Sequence, residues 1–146
     1  MQNEISMRDY DVSDYEMVIA LWDSIGLGGQ HRGDNQEIIE QTLQSGGRLL
    51  LMEIKESSEI VGTSWLTVDG RRTYIHHFGI ANSWQGKGLS KPLLEASMAL
   101  ARKIGLQVKL EVHRSNEKAV NLYKKAGFTY LGDYDVYIIR DISTAV

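Results

Sequence analysis

The stretch "NSWQGKGLSKPLL", Asn82–Leu94, constrains this chain more than any other. An apolar strand-like run, Arg72–Ala81, ends where it begins, and an apolar helix opens where it ends. The first N–H groups of a helix have no partner within the helix, and the helix dipole is positive there. A strand-to-helix turn of this kind readily receives an anion such as phosphate. Gly86 and Gly88 carry no Cβ, so the backbone can curl and approach a ligand closely, and Lys87 adds positive charge. The frame is neither GxxxxGK[ST] nor GxGxxG, since position 91 is Lys. Read alone, two glycines in such a turn also fit a purely geometric role.

The other elements follow from periodicity and capping. "EISMRDY" reads as a first strand. "SDYE", Ser13–Glu16, has capping-box spacing, and Tyr15, Val18, Ile19, Trp22 and Ile25 recur at helical intervals, so a helix runs to about Ser24. "GLGGQHRGD" is a glycine-rich loop. "DNQE", Asp34–Glu37, offers a second capping box ahead of a short helix that "SGG" ends. Three strand-like runs follow, Leu49–Lys55, Ile60–Asp69 and Arg72–Ala81. The turn signals between them suit an antiparallel meander. Ser90 is placed to cap the next helix, Pro92 fits its first turn, and Gly105 stops it. "QVKLEV" reads as a strand, "SNEKAVNLYKKAG" as a fourth helix capped by Ser115 or Asn116, and "FTYLGDY" and "VYIIRDI" as two final strands. The order βααβββαβαββ predicts an α/β fold: a mixed, mostly antiparallel sheet with helices on both faces.

Composition narrows the function. The 146 residues suit one domain, 1–146, with a single good core. No apolar run approaches the roughly 18 residues of a membrane span, and "MQNEISMRDY" lacks a signal-peptide core. The sequence has no cysteine. That removes disulfides, thiolate nucleophiles and cysteine metal sites, and it fits a cytoplasmic protein. A net charge of −3 with no basic run argues against nucleic-acid binding. His76 and His77 come with no ligand cluster, so no metal site is expected, and alternation along a strand would point them to opposite faces.

Read together, "QGKGLS" and "LEVHRSNEKAVNLYKKAGF" (Leu110–Phe128) resemble the GNAT superfamily of acyl-CoA N-acyltransferases. The second stretch is similar to the ribosomal-protein N-terminal alanine acetyltransferases. Gln85 and Gly88 match the family's pyrophosphate loop, [Q/R]xxGx[G/A]; Ser90 departs from its last position. The resemblance covers nearly the whole chain. It implies transfer of an acetyl group from acetyl-CoA to an amine of a peptide, a protein or a small molecule. A non-catalytic acyl-CoA binding or sensing domain is the alternative.

The resemblance also implies roles. Backbone N–H groups across Gln85, Gly86, Lys87, Gly88, Leu89 and Ser90 would cradle the pyrophosphate. The strand end Phe78–Ala81 would pair with the pantetheine arm, and an N–H near Ile80 would face the oxyanion. Asn116 would reach the cofactor, cap its helix, or do both. Tyr123 would protonate the leaving thiolate. A phenol of pKa about 10 is neutral at pH 7 and can donate to it. Glu111 and His76 stand as alternative general bases, with Tyr74 and Phe78 expected on the face of His76. His31, Arg32 and Asp34 are the polar groups of the acceptor-side loop. A homodimer is a further possibility.

Overall fold

The computed structural model describes residues 4–28 and 32–144. Their elements are β1 (Ile5–Asp9), α1 (Tyr15–Ser24), α2 (Gln36–Gln44), β2 (Arg48–Ile54), β3 (Ile60–Val68), β4 (Arg72–Ile80), α3 (Ser90–Ile104), β5 (Gln107–Leu110) and α4 (Glu117–Lys125). Among the described residues, five strands form one sheet in the order β1-β2-β3-β4-β5. The first three pairings are antiparallel and β4–β5 is parallel. The chain makes the parallel step through α3, because parallel neighbours need a crossover long enough for a helix. This is the mixed, mostly antiparallel sheet expected from the sequence.

Strand β2 shows why helices lie on both faces. Its run RLLLMEI is apolar at consecutive positions, the mark of a strand covered on both sides. Leu49 and Leu51 pack with Val18, Trp22 and Ile39 from α1 and α2. Leu50, Met52 and Ile54 pack with Leu93 from α3. A third cluster joins Leu66, Ile75, Leu94 and Ala101 to Tyr123 of α4.

Three helix starts differ from their expected caps. The cap before α1 is Asp11, whose carboxylate accepts from Ser13 N, while Asp14 accepts from Asp11 N at 2.8 Å. The expected box Ser13–Glu16 therefore lies two residues too late. Asp14 is buried and takes both arms of the Arg8 guanidinium at 2.8 Å, which fixes the frame. At α2 the cap is Asn35, accepting from Ile38 N at 2.9 Å, and Asp34 is used elsewhere. At α3 Leu89 holds the cap position with no side-chain hydrogen bond, and Ser90 is already helical.

The ladder between β3 and β4 contains a bulge. Trp65 faces His76 and Thr63 faces Gly79, so Ser64 alone opposes His77 and Phe78. His77 has φ 46°, the left-handed region that a β-bulge can impose. The bulge reverses side-chain alternation beyond it.

The last two expected strands do not form. Residues 128–141 make no ladder, and Tyr130, Tyr134, Tyr137 and Ile138 lie in water. The alternating pattern is real, but a strand exists only through a partner, and here the segment pairs with none. β5 itself stops at Leu110, so Glu111 and Val112 fall beyond the sheet.

Candidate active site

β4 and β5 pair only from Arg72–Gln107 to Ile75–Leu110. Beyond that point β4 continues alone for five residues, and the two strands part. A cleft of about 520 Å³ occupies the gap on the α3–α4 side. Phe78 and Ile80 line one wall, the turn from Gln85 to Ser90 closes one end, and Asn116, Leu122 and Tyr123 of the α4 region line the other wall.

The turn is built for close approach. Gly86 and Gly88 have φ of 79° and 76°, where a Cβ is strained, although that Cβ would meet no neighbouring atom. The glycines therefore serve the backbone path and leave the space over the turn open. Gln85 pins the turn to the strand: its Nε2 donates to Ile80 O at 2.9 Å and to Asn82 Oδ1 at 3.2 Å. The next residues enter α3, whose leading N–H groups have no side-chain cap and face a cleft edged by Lys91 and Lys118. Lys87 turns its ammonium over the Trp84 ring, 5.3 Å from the centroid, and stands beside the cleft.

Along β4, the N–H of Ala81 is spent on Val61 O at 2.7 Å. Successive N–H groups in an antiparallel ladder point to opposite sides, so the Ile80 N–H points into the cleft. Ala81 is thus turned into the sheet, against its expected role at the cleft. Tyr123 is 8% exposed, wedged edge-on between Phe78 and Phe128, and burial pushes its phenol up to about 12. Asn116 caps α4, accepting from Ala119 N at 3.3 Å, and also lines the cleft.

The opposite face of β4 carries His76. His76 stacks on Tyr74 and meets Trp65 edge-on, and its Nε2 lies 2.9 Å from Thr67 Oγ1. His76 is exposed at the surface; partial desolvation of the ring, followed by the neighbouring His77, lowers its pKa below the ordinary imidazole value, and Glu111 and Asp34 oppose the shift.

Two expectations fail at the bulge. His77 was expected on the face opposite His76, yet both rings contact Trp65. Phe78 was expected beside His76, yet it packs on Tyr123. His77 Nε2 lies 2.7 Å from Asp34 Oδ2, a partner 43 residues away that sequence reading did not supply. Trp84, Lys91, Lys118 and Leu122 also escaped that reading, although a lysine beside each helix start was a usable signal. Arg32 only brushes Gly26 O, at 3.4 Å, and His31 lies outside the described residues. No cluster of three or more metal-ligating side chains occurs among the described residues.

The sequence profile of the acetyltransferase (GNAT) family matches residues 15–128, which span both the glycine turn and Tyr123. The chain belongs to the acetyltransferase (GNAT) family. It is 34% identical over 85 residues to the mycothiol acetyltransferase of Propionibacterium freudenreichii, covering 55% of this chain and 27% of that protein. The chain spans between 27% and 50% of the length of the curated relatives it matches. Among solved structures, a GNAT acetyltransferase of Staphylococcus aureus superposes with a TM-score of 0.74 at 22% identity, over 85% of this chain and 82% of that one. The ribosomal-protein-S18-alanine N-acetyltransferase of Escherichia coli gives 0.72 at 16% identity, over 86% and 78%. At these identities the solved structures speak for the GNAT fold.

Proposed function

We propose that this GNAT domain, residues 1–146, transfers an acetyl group from acetyl-CoA to a primary amine of a peptide, a protein or a small molecule. One observation carries the reading. An uncapped helix start, a left-handed two-glycine turn, an outward-facing strand N–H and a buried phenol all border one cleft. The residues suit the donor. The amides from Gln85 to Ser90 hold the diphosphate. The lone stretch of β4 offers backbone pairing to the pantetheine amides, and the Ile80 N–H faces the charge that develops on the carbonyl oxygen.

Acetyl-CoA, when bound, supplies the thioester carbonyl. His76 or Glu111 takes the proton of the amine, directly or through water, as its nitrogen bonds to that carbon. The C–S bond breaks, and the Tyr123 hydroxyl gives its proton to the departing sulfur. A phenol near 12 stays protonated at neutral pH and is ready to donate. The lowered pKa of His76 favours the neutral, basic form of that imidazole at neutral pH.

Self-association into a homodimer belongs to the same reading, supported by the unpaired outer edge of β5 and the apolar side chains of residues 130–142. So does a cytoplasmic location, on the cysteine-free sequence. Among the described residues no helix is long and apolar enough to cross a membrane.

The test is release of CoA thiol from acetyl-CoA with an alanine-ended peptide, a polyamine and an amino sugar as acceptors. Acceptor-dependent release is expected, with the acidic limb of kcat/KM below pH 6.5 if His76 is the base. Acetyl-CoA that raises the melting temperature without any turnover would favour the sensing domain, and no shift at all would remove the donor site.

A further inference from the structure

The described parts of the α1–α2 connection, residues 25–28 and 32–35, meet β4 at two points, Gly79 and His77, and a hydrogen bond between the turn after β4 and the last residue of α1 lies beside them. Asn82 Nδ2 donates to Ser24 O at 3.2 Å. Ile25 and Leu27 sit so close over Gly79 that an added Cβ there would meet their methyl carbons at 2.8 and 3.2 Å. Asp34 closes the far end on His77 at 2.7 Å, with side chains only 18% and 12% exposed. His77 is held in turn from behind. Its ring stands edge-on to Trp22 at 4.5 Å and to Trp65 at 5.4 Å. Its carbonyl accepts from buried Thr63 Oγ1 at 2.7 Å, and that oxygen accepts from Trp22 Nε1 at 2.9 Å. A left-handed histidine inside a strand is uncommon, and it persists because its surroundings over-determine it.

We propose that Asp34 and His77 are a positioning pair: they fasten the chain just before α2 to the β4 bulge and thereby set the acceptor face on which His76 stands. The inference rests on the acetyl-transfer reading. His77 Nε2 is held by Asp34, and the residue acts on His76 beside it through the bulge that brings both rings against Trp65. The titratable group beside this pair is His76 on the same strand, and Glu111 after β5 bears on His76. α1 and β3 contribute Trp22, Thr63 and Trp65, none of which titrates near neutrality.

His77→Asn is the informative variant, because asparagine tolerates the left-handed backbone while losing the imidazole. Asp34→Ala removes the partner instead, and His77→Gly serves if the first variant folds poorly. With the best amine of the panel above, both substitutions are expected to lower kcat/KM for the amine by about a hundredfold, the cost of roughly 1 Å of misplacement. The KM for acetyl-CoA should hold, since the cleft is across the sheet. Independently of turnover, the His76 titration followed by NMR should move to higher pH in His77→Asn, because the neighbour that lowers it is gone. Amide exchange at residues 32–38 should quicken in both variants. An unmoved His76 titration with unchanged exchange would overturn the proposal, even in a fully active enzyme. Loss of acetyl-CoA binding by the native protein would instead defeat the acetyl-transfer reading and leave the exchange and titration tests standing.

Discussion

The two faces of β4 are built by different means. On the α3–α4 side, the cleft is made mostly from backbone: two left-handed glycines, an uncapped helix start and a strand edge left bare where β5 stops. On the α1–α2 side, the candidate acceptor face is made from side chains held by distant partners, Trp22 to Thr63 and His77 to Asp34. A backbone site depends on local conformation and tolerates changes of side chain around it. A side-chain site depends on a network and fails when one member goes.

The sharpest way to break this contrast is Tyr123→Phe, since Tyr123 is the one side chain of the cleft to which the proposed reaction gives a chemical task. We expect kcat to fall by about 10²–10⁴-fold with acetyl-CoA binding retained, read by steady-state kinetics beside calorimetry. Equal activity would make the cleft a binding site alone. Next in size is Thr63→Val. It strands the Trp22 Nε1–H and the His77 carbonyl in the interior, and urea unfolding should show a loss of about 1–3 kcal/mol. A smaller loss would mean that the bulge does not need its network. Gly88→Ala follows, at about 1–2 kcal/mol for a left-handed alanine with free space around its Cβ. The cost should appear mainly as weaker acetyl-CoA binding by titration calorimetry. Asn116→Ala is the mildest. Losing this cap should cost about 1 kcal/mol in thermal unfolding, with donor affinity nearly kept if the cap is its main task.

The same contrast explains what could be read from sequence. Helix and strand positions were legible because each rests on a local period, as in α3 and β2–β4. The glycine turn was legible because Gly86, Gly88 and the following helix are neighbours in the chain. Tyr123 and Asn116 were carried by the resemblance. The bulge was not legible: nothing in "YIHHFG" says that His77 turns left-handed, since the cause is the register against β3. Asp34 looked like a helix cap because the sequence around it fits one, but a histidine 43 residues on has the stronger claim. The Ser13 cap was misplaced because Arg8 recruits Asp14. The final strands had the right alternation and no partner, and pairing is a non-local property.

Leu89 gives the longest helix no lid of its own. A diphosphate seated there would act as a detachable end-piece, so α3 would be finished by the co-substrate at each turnover and left frayed when CoA departs. Because α3 packs under β3 and β4 through Leu93 and Leu94, such fraying would loosen the floor of the sheet between cycles. Heat resistance would then report how much thioester and spent CoA surround the enzyme.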